Sequence, residues 1–150
     1  MCVVEDLYSR KIIAFGVGGR ESGRLVAAVL RQAIMRRKIR SGLILHTDGS
    51  QANSSVRVNH LLRVNGIAHS YSEAANPYDN STVESFFSQF TRELLVDAYN
   101  RYPFHSVREM KERIAEYIEN YNAQRPHSYN GGKTPNEKER EWRRRYGEAV

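Results

Sequence analysis

Two carboxylates, Asp48 and Glu84, stand in this sequence with 35 residues between them. Asp48 follows the short apolar run Leu43-Ile44-Leu45 and the polar residues His46-Thr47, so it lies at the C-terminal end of an expected core strand. In open α/β sheets that edge is where ligands and catalytic groups gather. Asp48-Gly49 is also a turn signal, because Asp tolerates turn geometry and Gly favours it. Glu84 falls in the first turn of an expected helix, where Ser81-x-x-Glu84 is a capping-box pattern that needs no chemistry. On a helical wheel it flanks the Val83/Phe87/Phe90 stripe, a position from which its carboxylate can look toward the strand end carrying Asp48. With 17 acidic residues in the chain, spacing alone does not select this pair.

The elements that must position the two acids are legible from periodicity. Cys2-Val3-Val4 and Lys11 to Val17, separated by the polar turn Tyr8-Ser9-Arg10, predict a hairpin. Ser22 precedes an apolar stripe at helical spacing, Leu25, Val26, Val29, Leu30, Ala33 and Ile34, which predicts a first helix. Leu43 to Leu45 predicts a buried strand. A second helix is expected from about Ser54 to Val64, ended at Asn65-Gly66 where glycine can adopt the left-handed conformation. A strand from Ile67 to Tyr71 follows. Asn76-Pro77-Tyr78-Asp79-Asn80 reads as a turn. Beyond it, Val83, Phe86, Phe87, Phe90 and Leu94 mark one face of a long helix. Ser106 to Asn122, with the capping box Ser106-x-x-Glu109, predicts another. Strands first, then strand and helix in alternation, imply an α/β fold in which helices cover a mixed sheet.

At 150 residues and 40% hydrophobic content, the chain can build one compact core. The formal net charge of +6 favours a polyanionic partner, because lysine and arginine displace counterions condensed on a phosphate backbone. One cysteine excludes an intramolecular disulfide, and a structural zinc site has no obvious ligands. No apolar run approaches the ~20 residues needed to span a bilayer, and no signal-peptide layout opens the chain, so a cytoplasmic location is expected. The segment 138–150 reads as a charged tail anchored by Trp142, with the basic cluster Arg143 to Arg145 a solvated face.

The residues around the two acids carry a family resemblance. His46-Thr47-Asp48-Gly49-Ser50-Gln51 resembles the His-Ser-Asp-x-Gly-Ser-Gln-Tyr of the OrfB-type transposases of insertion sequence family three. Asp79-Asn80-Ser81-Thr82-Val83-Glu84-Ser85-Phe86-Phe87 resembles their Asp-Asn-x-x-x-Glu-Ser-Phe-Phe. Tyr121-Asn122-Ala123-Gln124-Arg125-Pro126-His127-Ser128, with Thr134-Pro135, is similar to their closing motif, and Asp6-Leu7-Tyr8-Ser9-Arg10-Lys11 to their Asp-Leu-Phe-Ser-Arg-Arg. The 35-residue interval is that of the Asp-35-Glu half of the DDE motif. There are two departures. One residue is missing between Asp48 and Gly49, and Ala52 stands where the family often has an aromatic.

The resemblance covers residues 1–137 and implies a ribonuclease H-like integrase catalytic core, a DDE-type polynucleotidyl transferase that cuts and joins DNA strands. It implies Asp48 and Glu84 as catalytic metal ligands for two Mg²⁺ or Mn²⁺ ions, and double-stranded DNA (transposon ends and target) as partner. Self-association in a transposition complex and a nucleoid-associated cytoplasmic location in a bacterium follow from the same likeness. Arg10, Lys11, Gln51, Asn80, Arg125 and His127 are the candidates for DNA contact, although for Arg125 and His127 a structural role in closing the core is favoured over catalysis. The family's first aspartate sits on a strand upstream of the hairpin. Met1-Cys2-Val3-Val4 corresponds to the middle of the strand after it, so an N-terminally truncated core is expected, lacking the first ligand, its central strand and the DNA-reading helix-turn-helix. Asp6 aligns with a hairpin-side aspartate that the family does not use for metal. An isolated chain of this kind is expected to be inactive. The rival reading is a non-catalytic nucleic-acid-binding remnant or regulator of an intact transposase. A ribonuclease H-like nuclease acting on RNA-containing duplexes is disfavoured by the Arg-Pro-His-Ser motif.

Overall fold

In the computed structural model, residues 1–37, 39, 42–72, 81–96 and 104–147 are described. The chain opens with strands β1 (Cys2–Asp6) and β2 (Lys11–Gly16), which pair as a two-stranded sheet. Their connection is built on Asp6, whose Oδ1 accepts from the Tyr8 N–H at 3.0 Å, the Ser9 N–H at 2.8 Å and the Ser9 hydroxyl at 3.0 Å. Arg10 closes the turn with a left-handed φ of 63°, and its N–H donates to the Asp6 carbonyl at 2.8 Å. An Asp side chain that bonds backbone two and three residues on is the usual organiser of such a turn.

Helix α1 (Gly23–Arg36) begins where expected, with the Ser22 hydroxyl accepting from the Leu25 N–H at 3.3 Å. Strand β3 (Ile44–Thr47) runs parallel to β4 (Ala68–Tyr71), with His46 opposite Ser70 and Thr47 opposite Tyr71. A parallel pair needs a crossover. Helix α2 (Val56–Val64) supplies it. Its end is a Schellman motif. The Ile67 N–H reaches the Leu62 carbonyl at 2.9 Å and the Gly66 N–H that of Arg63 at 3.2 Å, with Gly66 at φ 64°. Leu62 and Ile67 are then buried together with Val26, Ala27, Leu30 and Val58. A second buried cluster, Ala14, Val29 and Ala33, takes the other side of α1, and Cys2 packs against both. Among the described residues the strands form two separate two-stranded sheets.

Helix α3 (Ser81–Phe90) continues directly into a π-helical turn, Thr91–Val96. Helix α4 (Val107–Gln124) starts at the expected Ser106 cap, whose hydroxyl accepts from the Glu109 N–H at 3.0 Å. The return bond of this capping box goes to His105: the Glu109 carboxylate accepts the His105 N–H at 2.8 Å. A short 3₁₀ turn (Ser128–Asn130) and helix α5 (Pro135–Tyr146) follow, so most of the expected charged tail is helical.

The chain divides into two compact units. One comprises Met1–Glu5, Ile12–Asn80 and Arg143–Val150, and the other Asp6–Lys11 and Ser81–Trp142. The core of the second is aromatic. Phe86, only 1% exposed, meets Tyr121 edge-on at 5.1 Å and stacks near Phe90, which meets Tyr117 edge-on at 5.3 Å. Among the described residues, no helix is long and apolar enough to cross a membrane.

Candidate active site

Asp48 leaves the C-terminal end of β3 in the first unit. Two donors reach its Oδ1, the Ser50 N–H at 3.0 Å and the Asn53 side-chain amide at 2.7 Å. Partial burial opposes ionisation, but these bonds and the Ser50 hydroxyl outweigh it and hold the carboxyl below its ordinary range. It is therefore an anion at neutral pH. Both of these bonds fall on Oδ1. The Asp48-Gly49 turn that the sequence offered is formed, with the Asp48 side chain bonded to backbone two residues on.

The strand ends beneath Asp48 are tied by two histidines on opposite faces. His46 reaches Ser70 through Nδ1 at 3.0 Å and Ser72 through Nε2 at 3.1 Å. On the other face His69 reaches Thr47 through Nε2 at 3.0 Å and Tyr71 through Nδ1 at 2.9 Å. Burial, with the His46 charge added, lowers the His69 pKa and keeps the ring neutral. Gln51 is exposed in the turn that follows Asp48.

Glu84 lies in the second unit, exposed in the first turn of α3. Asn80 falls outside the described residues. The regions of the two flanking motifs meet within this second unit, and their basic candidates have partners there. The Arg10 guanidinium lies 3.9 Å over the Tyr129 ring, and Lys11 Nζ donates to the Glu139 carboxylate at 2.7 Å. Asn130, 3% exposed, donates its side-chain amide to the Ser9 carbonyl at 2.7 Å. His127 packs edge-on against Tyr121 at 4.9 Å, and its backbone N–H donates to Lys133 at 3.1 Å. Burial first, then the charges of Arg125 and Arg10, push the His127 imidazole toward its neutral form.

Arg125 grips Glu93 with both ends of its guanidinium: Nη1 donates to Oε2 at 2.8 Å, and Nη2 to Oε1. The Tyr117 hydroxyl donates to the same carboxylate at 3.0 Å. Residue by residue the sequence did not single out Glu93, Asn53 or His69. Glu93 carried a signal, since it falls three positions after Phe90 on the apolar face, where an unpaired charge is costly.

Among known proteins, a family model described as "Integrase core domain" matches residues 1–77, and a second with the same description matches residues 65–135. The transposase for insertion sequence element IS904 of Lactococcus lactis subsp. lactis (strain IL1403) is 37% identical over 136 residues, 90% of this chain and 52% of that protein. Transposase InsF for insertion sequence IS3A of Escherichia coli (strain K12) is 34% identical over 136 residues, 90% of this chain and 46% of that protein. The chain thus spans about half the length of these curated relatives. Among solved structures, the catalytic core domain of BIV integrase superposes with a TM-score of 0.70 at 22% identity, covering 96% of this chain and 88% of that one. A chain of the simian T-cell lymphotropic virus intasome in complex with PP2A regulatory subunit B56 gamma gives 0.74 at 18% identity, covering 99% of this chain and 48% of that one. These likenesses show the fold, a ribonuclease H-like integrase core. Since the matched models together run from residue 1 to residue 135, the chain belongs to the integrase core domain family.

Proposed function

We propose that this chain is the catalytic-core portion of a DDE-type transposase, a polynucleotidyl transferase that cuts DNA strands and joins transposon ends to target DNA. The observation that carries the reading is Asp48, an ionised carboxylate at the C-terminal end of β3 in a chain that matches the integrase core domain family. Its donor set fits Mg²⁺ or Mn²⁺, since Mg²⁺ is usually bound by one or two carboxylates together with substrate phosphates. Two such ions, when bound, stabilise the charge that builds on the attacking and leaving oxygens of an in-line displacement.

Asp48 offers Oδ2 while Ser50 and Asn53 hold Oδ1, and Glu84 offers a second carboxylate from the first turn of α3. Neither forms a covalent bond to DNA; water is the nucleophile for cleavage and a DNA 3′-hydroxyl for joining. Gln51 and Asn80 are proposed to contact the DNA backbone. For Arg10, Lys11, Arg125 and His127, the contacts to Tyr129, Glu139, Glu93 and Tyr121 support the structural role. Self-association in a transposition complex and a nucleoid-associated location belong to the same proposal. A second reading, a DNA-binding regulator without catalysis, is favoured by the formal net charge of +6, which suits duplex binding through phosphates without chemistry.

The experiment is strand transfer in Mg²⁺ or Mn²⁺ by a core completed with a first-aspartate strand of the family pattern. Asp48→Asn and Glu84→Gln should each lower joining on the order of a thousandfold, as loss of several kcal/mol of metal stabilisation implies. Undiminished joining by either variant removes it from the ligand set. Salt-sensitive duplex binding with no joining by the completed core favours the regulator.

A further inference from the structure

Asp48 is fixed at two points, at its side chain by Asn53, which no motif nominates, and at its backbone by its neighbour Thr47. Its carboxylate is held by the Asn53 amide at 2.7 Å. Its backbone carbonyl accepts the Thr47 hydroxyl at 3.0 Å. That hydroxyl has one proton, so it must accept, not donate, at its 3.0 Å contact with His69 Nε2. Nε2 therefore carries the ring proton, and Nδ1 is left to accept from the Tyr71 hydroxyl at 2.9 Å. The donors line up in one direction, from Tyr71 to His69 to Thr47 to the Asp48 carbonyl. The pairing of Thr47 opposite Tyr71 in the parallel β3–β4 register brings these groups to one face of the sheet end.

We infer that Asn53 and His69 are positioning residues for Asp48, Asn53 orienting its carboxylate and His69 acting through Thr47 on its backbone. The inference rests on the reading of Asp48 as a metal ligand. Ligating carboxylates depend on such outer partners, whose loss typically costs about 10- to 100-fold in metal affinity. A role confined to holding the two strands together is the competing explanation, and the two part at Thr47. Valine at that position keeps the shape and the strand propensity but removes the hydroxyl, whereas serine keeps the hydroxyl.

The test is a Mn²⁺ titration of the 150-residue chain, read as paramagnetic broadening of the backbone amide signals from Ser50 to Asn53, with the signals of α1 as a check on folding. Thr47→Val, His69→Ala and Asn53→Ala should each cut the broadening per added Mn²⁺ by about tenfold. Thr47→Ser should keep it within about twofold. His69→Gln, whose side-chain amide can donate to Thr47 as Nε2 does, should recover most of what alanine loses. Asn53 lies in the loop outside both strands, so its variant reports even where a strand substitution disturbs the sheet. Wild-type broadening that Thr47→Val and Asn53→Ala leave unchanged overturns the inference while the ligand reading stands. No broadening at these amides in the wild type overturns the ligand reading and the inference with it.

Discussion

At the scale of single residues, Arg125 of the closing motif forms a bidentate pair with Glu93. Arg125 hydrogen bonds first, then the Tyr117 hydroxyl, pull the Glu93 carboxyl below its usual range against the effect of partial burial. Burial first, and then Glu93, push the Tyr117 phenol up to about 12. The consequences for stability have opposite signs. Glu93 binds a proton less readily when folded, so its contribution is full above its ordinary value of 4.5 and is lost as pH falls through the lowered one. Tyr117 holds its proton more tightly when folded, so its contribution is full below 10 and is lost as pH rises toward 12. In Glu93→Gln, phenolate absorbance should therefore rise at lower pH than in the wild type, and acid should cost less of the urea midpoint. Arg125→Lys keeps the charge but loses the fork, and at about one-third exposure this should cost about 1 kcal/mol in urea unfolding.

At the scale of elements, caps that look alike in sequence are not alike in the fold. Ser22 and Ser106 cap α1 and α4 with their hydroxyls, whereas Ser55, at the same position before α2, makes no capping bond. Its Oγ is buried without a protein partner, and a Cβ built on Gly23 would lie 2.2 Å from it. The close approach of α1 to α2 has taken the hydroxyl away from the helix end. Ser106→Ala should therefore cost about 1 kcal/mol of stability, and Ser55→Ala under about 0.5 kcal/mol, since it removes an unsatisfied group. Gly23→Ala should cost about 1–3 kcal/mol by overpacking, as read by thermal or urea unfolding. The π turn after α3 was not legible either. Periodicity predicts one long helix through Leu94, and it does not show the π turn at Thr91–Val96, within which Glu93 bonds Arg125 and Tyr117. Phe86→Ala, which empties the centre of the aromatic cluster, should cost about 3–5 kcal/mol.

At the scale of the whole molecule, an excess of 23 basic over 17 acidic side chains leaves a cation that should bind duplex DNA chiefly through phosphates. For this chain the logarithm of the association constant should fall linearly with the logarithm of salt concentration, with a slope of about −0.9 per phosphate contacted. A fluorescence-anisotropy titration in increasing NaCl checks it. Binding that salt leaves unchanged would contradict a phosphate-led interface.

The sequence by itself determined the α/β class, the order of the elements, the Ser22 and Ser106 caps, the Asn65-Gly66 helix end and Asp48 at the end of β3. These depend on neighbours within a few positions, and hydrophobic period and turn chemistry record such local requirements directly. Only the tertiary structure decided what Arg10, Lys11, Arg125 and His127 touch. Their partners Tyr129, Glu139, Glu93 and Tyr121 include residues more than a hundred positions away, and no periodicity encodes a pairing at that separation. The same holds for Asp48, where the turn is a local fact. Its anchorage to His69 through Thr47 exists only because α2 carries the chain back to lay β4 parallel to β3.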